Sequence, residues 1–210
     1  MSTGVSWEQF RQGVFGDPYL VWHDGPDFAE LIRRWQHSRA DVRELLLGGL
    51  DANEPLSAQS IAVLASDSHP PTDLLDELIA RLPTSRDTFR VRLALAVFAL
   101  TSDQSMARYV VSVLSEPGYW TSRMDAAMAL RDFAPTVETI DALARAVTDD
   151  NNLVRYHSSD TLLAYAGFEP DASKYPEVLA GIHSDASTDQ RRCTADYLRA
   201  AALSKVPDVG

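Results

Sequence analysis

The chain has almost no cysteine: Cys193 is the only one in 210 residues. An internal disulfide is thereby excluded, and such usage fits a reducing compartment. No apolar run approaches the roughly 18 to 20 residues that a membrane helix needs. The opening "MSTGVSWEQF" lacks the basic and then apolar design of a signal peptide. These absences lead to the expectation of a cytoplasmic protein. Positive charge is also short: 19 Lys and Arg stand against 30 Asp and Glu, a net charge of −11. Binding along a phosphate backbone is driven by neutralising phosphates and releasing counterions, so nucleic acid is not the expected partner. An acidic surface keeps a chain soluble or attracts a basic protein.

Signatures of catalysis and metal binding are missing as well. There is no GxxxxGK[ST], no GxGxxG and no GxSxG. His23, His37, His69 and His183 are scattered, without the HExxH, HxxxH or Cys/His spacing that suits zinc. Neither a metal nor a cofactor is expected. Cys193 lies beside Arg191 and Arg192, yet no His in its sequence neighbourhood offers a base; the expected role is that of a small, semi-buried helix residue. Gly48 and Gly49 fall inside the apolar run "LLLGGLDA", where close helix packing or a helix end accounts for them.

What the chain does have is a repeat. Leu64, Val97, Leu130, Leu162 and Leu198 follow one another at steps of 33, 33, 32 and 36. Three residues before them stand Ile61, Ala94, Ala127, Ser159 and Ala195; seven before, Ser57, Arg90, Arg123, Arg155 and Arg191. Three residues after come Asp67, Leu100, Phe133, Tyr165 and Ala201. These offsets share one face of an α-helix. A second periodic set, Leu78, Val110, Leu143 and Leu179, lies between the first helices in segments with apolar residues three or four apart. Breakers separate the two sets: "HPPT", "EPG", Pro135, "GFEPD" and Pro176. One helix pair cannot bury its apolar face alone, so neighbouring pairs must stack.

The stretch "VTDDNNLVRYHSSDTLLAYAG" resembles the first helix of a HEAT repeat, with its turn Asp, Val-Arg, small residues and Leu. The resemblance covers residues 55–203. It implies an all-α fold, a right-handed superhelical α-α solenoid of about four to five helix pairs, with the second helices lining a concave side. It also implies that turn Asp and helix-start Arg knit adjacent repeats, here Asp149 with Arg155 and Asp185 with Arg191.

Residues 1–54 stand apart as an aromatic-rich N-terminal cap, carrying Trp7, Phe10, Phe15, Tyr19, Trp22, Phe28 and Trp35. The exposed end of a stack needs covering, and aromatics supply much area per residue; the alternative is an aromatic binding surface or small-ligand sensor. Ser6 with Gln9 suits a capping box, and a helix or helix pair from Asp27 to Leu50 breaks near Ser38. The expected organisation is one domain over 1–210, with a tail from 204.

His157 and Asp160 stand three apart on one helix, but away from the buried offsets, so the expectation is a solvated helix face and not a catalytic dyad. The expected function is a non-catalytic protein-interaction module: a scaffold, adaptor, inhibitor or immunity-type protein. The expected partner is a basic protein held on the stack's open surface. Candidate interaction residues on the second helices and adjoining turns are Asp73, Glu77, Arg108, Tyr109, Glu138, Asp141 and Arg145. The rival reading is an alkylpurine DNA glycosylase of HEAT-like build, to which Trp120, Asp125 and Arg155 bear a superficial similarity. That enzyme would need Arg33, Arg34, Arg39, Arg43, Arg81, Arg90 and Arg92 to converge into a positive groove.

Overall fold

The computed structural model describes residues 5–17, 19, 21 and 25–206. Trp22 and His23 lie outside the described residues, as do 207–210 of the tail. Among the described residues the fold is all-α, with twelve α-helices, four short 3₁₀ turns and no strand. No helix there is long and apolar enough to cross a membrane. The chain divides into two compact units: Met1–Ser85 with Arg92–Asp103, and Arg86–Val91 with Gln104–Gly210.

The first unit opens with α1 (Trp7–Phe15), α2 (Ala29–His37) and α3 (Arg39–Asp51). α1 starts at a reciprocal capping box, in which the Ser6 hydroxyl accepts from the Gln9 amide and the Gln9 side chain accepts from the Ser6 amide. This satisfies two of the amide donors that every helix start leaves over. Ser38 separates α2 from α3 as the sequence leads one to expect. Trp7, Phe10, Val14 and Phe15 bury one face of α1, and Trp35 donates its indole N–H to the His69 carbonyl at 3.0 Å. Tyr19 is exposed.

The approach of Trp7 depends on Gly49. A Cβ there would lie 2.7 Å from both the Trp7 ring and the Ser57 Cβ, well inside van der Waals contact. α4 (Pro55–Leu64) begins with proline, which needs no amide partner at that position. It packs on α3, and buried Ser57 donates to the Leu46 carbonyl at 2.6 Å. Leu31, Leu46, Leu50, Ile61, Leu64 and Leu78 are fully buried, Leu78 from α5 (Leu75–Arg81).

α6 (Asp87–Thr101) contributes residues to both units. The second unit continues with α7 (Ala107–Ser115), α8 (Trp120–Ala129), α9 (Val137–Ala146), α10 (Asn152–Tyr165), α11 (Pro176–Ile182) and α12 (Thr188–Leu203). α7 pairs with α8, α9 with α10 and α11 with α12, while α8, α10 and α12 lie side by side. Leu130, Leu162 and Leu198 are fully buried between these helices, and Leu64 and Val97 are buried in the first unit. Thr161 donates to the Ala127 carbonyl at 2.8 Å, and the Tyr165 hydroxyl donates to that of Leu130. These cross-helix bonds, 34 and 35 residues apart, follow the repeat.

One expectation fails at the end of the chain. Leu179 is 37% exposed, and Val178 and Ile182 are buried in its place. α11 is only seven residues long and enters from a 3₁₀ turn at Ala172–Lys174, which rotates its apolar side by one residue. The place beside α9 is accordingly taken by α12, which packs against α9, α10 and α11.

Candidate interaction site

The arginines at the helix starts do not form the pairs Asp149–Arg155 and Asp185–Arg191, although Arg123 does join its helix to the turn Asp of the next copy. Asp149 does not pair with Arg155; it receives two bonds from Arg123, at 2.8 and 3.1 Å. Arg155 is 1% exposed and donates to the carbonyls of Asp149, Asp150 and Ile182. Arg191 reaches the Ser184 carbonyl and not Asp185. Arg123 also donates to the Gly118 carbonyl, so all three fold back onto the turn that leads into their own helix. Burial pushes the Arg155 guanidinium below its ordinary value, with Arg191 nearby adding to that; the three carbonyls accept hydrogen bonds from its N–H groups in place of water.

The expected solvated face at His157 and Asp160 is also corrected. Asp160 is buried and accepts from the Ala172 amide at 2.8 Å. His157 is part-buried, its Nδ1 3.7 Å from Asp160 Oδ2. Tyr156 donates to Asp171 at 2.9 Å. This helix face therefore clasps the 166–175 loop, a role the spacing alone did not signal. Desolvation raises the Asp160 carboxyl and lowers the His157 imidazole, with Asp125, Asp160 and Arg131 as the charges facing His157. Among the described residues, His, Cys, Asp and Glu nowhere gather in threes that could hold a metal ion.

The seven candidate residues fall in both units. Asp73 pairs with Arg43, and Glu77 with Arg81 at 2.6 Å. Arg108 lies over the Tyr109 ring at 4.8 Å and donates to its hydroxyl. Glu138, Asp141 and Arg145 share one side of α9, with Glu138 and Arg145 exposed. Asp141 is not free: it pairs with Arg199 of α12 at 2.7 Å and is part-buried. That bond spans 58 residues, a distance over which periodicity carries no information.

The cations that a DNA-binding groove would use are largely engaged. Arg33 and Arg34 pair with Glu30, Arg43 with Asp73, Arg81 with Asp51 and Glu77, and Arg90 with Glu116. Of the residues resembling a glycosylase set, Trp120 is 40% exposed, Asp125 accepts from Thr88 at 3.0 Å, and Arg155 is buried.

A cleft of about 540 Å³ opens between α11 and α12. Tyr175, Glu177 and Val178 form one wall, and Cys193 and Tyr197 the other. Cys193 is exposed, not semi-buried. α11 and α12 approach closely at Gly181, where a Cβ would overlap the side chain of Thr194, one of the cleft's lining residues. Tyr175 is fixed by an aromatic contact with Phe168 at 6.1 Å, and its hydroxyl accepts from the Glu169 amide. Lys174 at the rim pairs with Glu169. Leu179, on the outer side of α11, lines a second hollow of about 510 Å³ with His183 and Gln190. Comparison of the chain with family models, with curated proteins and with solved structures finds no match.

Proposed function

We propose that the chain is a non-catalytic protein-interaction module, a HEAT-like right-handed stack of helix pairs that holds a basic partner protein on its surface. The observation that carries this reading is the state of the charges. Acidic side chains outnumber basic ones 14 to 7 in the first unit and 16 to 12 in the second. Many of the arginines are already bonded to carboxylates or carbonyls of the same chain. The surplus of carboxylates is left facing solvent, where it attracts a partner of opposite charge and raises its association rate. The helix-pair packing of the second unit and the burial of the five repeat anchors support the HEAT-like part of the proposal.

The test is affinity capture from lysate of the native organism, washed at low and at high salt. A basic protein retained at low salt and released at high salt is the expected result. Retained DNA, followed by base release from alkylated DNA, would instead establish the glycosylase reading. Glu138→Lys should weaken capture of the basic protein; unaltered retention would remove α9 from the interface.

A further inference from the structure

We infer that the cleft between α11 and α12 is the seat of an arginine side chain presented by an extended basic segment of the partner protein. The inference rests on the basic-partner reading above and assigns it a place.

Three features point there. First, each side of the cleft carries a tyrosine, Tyr175 at the start of α11 and Tyr197 on α12. Tyr197 is 58% exposed, while Tyr175 is held in place by Phe168 and the Glu169 amide. A planar guanidinium stacks on tyrosine faces better than a compact, strongly hydrated ammonium does. The chain makes such contacts itself, with Arg34 over Phe10 at 5.7 Å and Arg108 over Tyr109 at 4.8 Å.

Second, the one lining charge left without an ion pair is negative. Glu177 on the α11 wall makes no ion pair among the described residues, whereas the one lining cation, Lys174, is occupied by Glu169. Asp189 and Asp196 stand four before and three after Cys193, beside the residues of α12 that line the cleft, and both are exposed. Arg192, next to Cys193, projects about 100° further round the helix.

Third, the two helices approach closely beside the cleft: Gly181 lets α11 come against Thr194 of α12, itself a lining residue. The volume suits one long side chain with its backbone across the mouth, and not a whole domain face.

Cys193 supplies the reporter, since it is the only thiol, is exposed and lines the cleft. The probe is a short fluorescent arginine–serine peptide, with its lysine and glutamate counterparts as controls. Binding is read by anisotropy, and occupancy of the cleft by the rate of Cys193 alkylation. At a concentration about ten times its dissociation constant, the arginine peptide should slow alkylation about tenfold by mass action. The lysine peptide should bind more weakly, and the glutamate peptide should protect nothing. Tyr197→Ala should weaken binding about three- to tenfold, and Glu177→Gln about two- to fivefold. Tyr119→Ala, which removes a still more exposed tyrosine elsewhere in the unit, should leave it unchanged.

Arginine-peptide binding without protection of Cys193, or with wild-type affinity in both cleft variants, overturns the assignment while the basic-partner reading stands. Absence of any binding by the arginine peptide overturns this inference; capture of a non-basic partner would independently overturn the reading beneath it.

Discussion

Both ends of the chain bring a helix against its neighbour over a glycine, and the two glycines lead to opposite surfaces. Near the start, Gly49 admits the Trp7 indole, and α1 lays its aromatic side flat on α3. Near the end, Gly181 admits only Thr194, and Tyr175 and Tyr197 stand on either side of a cleft. A glycine under a large ring yields a covered end; a glycine under a small side chain yields an open one. Aromatic content alone does not distinguish the two, because burial is decided by what sits opposite the missing Cβ.

The contrast can be broken most severely at Trp7. Trp7→Ala should cost about 3–5 kcal/mol, the usual range for a buried aromatic, and lower the melting temperature of the first unit. A melt that does not move would mean that α1 is not a structural cover. Arg155→Ala should cost about 3 kcal/mol, because three carbonyls in the turns around α10 lose their donor. Hydrogen exchange confined to the second unit would report it; unchanged protection at Asp149, Asp150 and Ile182 would contradict the buried role.

Gly49→Ala and Gly181→Ala should each cost about 1–3 kcal/mol by overpacking. They are expected to differ in a second readout: Gly181→Ala should speed alkylation of Cys193, and Gly49→Ala should not. Equal labelling rates would show that Gly181 does not set the cleft.

A smaller effect is expected from His157. Burial lowers its imidazole below the ordinary 6.5, so the folded state favours the neutral form. Its contribution is present above pH 6.5 and is lost as pH falls through the lowered folded value. Asp160 acts in the opposite sense: its carboxyl is raised, so its contribution is present below the ordinary 3.8 and fades as pH rises through the folded value. His157→Gln should therefore flatten the loss of stability between about pH 7 and 5, seen in urea melts across that range. An unchanged slope would place His157 outside the clasp. The smallest effect is that of Tyr197→Ala on folding, within about 0.5 kcal/mol, in contrast to Trp7→Ala.

The pattern of small and apolar residues at −3 and 0 is a property of one helix, and it reads correctly wherever the helix is long enough to hold its register. The five anchors, the capping box at Ser6 and the break at Ser38 all depend on residues within one turn of each other. Where an element is short, as α11 is, a single residue of rotation exchanges Val178 for Leu179, and periodicity cannot detect it. The same limit applies to polar groups. Asp160 shares a helix face with solvated positions in other copies, yet the long 166–175 loop folds over it and turns it into an acceptor for Ala172.

The sequence by itself determined that the chain is helical, that its helices recur at about 33 residues and which side of most of them is apolar. Those properties follow from backbone geometry and from the cost of exposing apolar surface, both local in origin. Only the tertiary structure decided that Asp149 answers Arg123, that Arg155 serves carbonyls, that Asp141 meets Arg199, and that a cleft stays open between α11 and α12. Partners 26 to 58 residues apart are chosen by how the helices pack, and helix packing depends on side-chain volume at a few contact points.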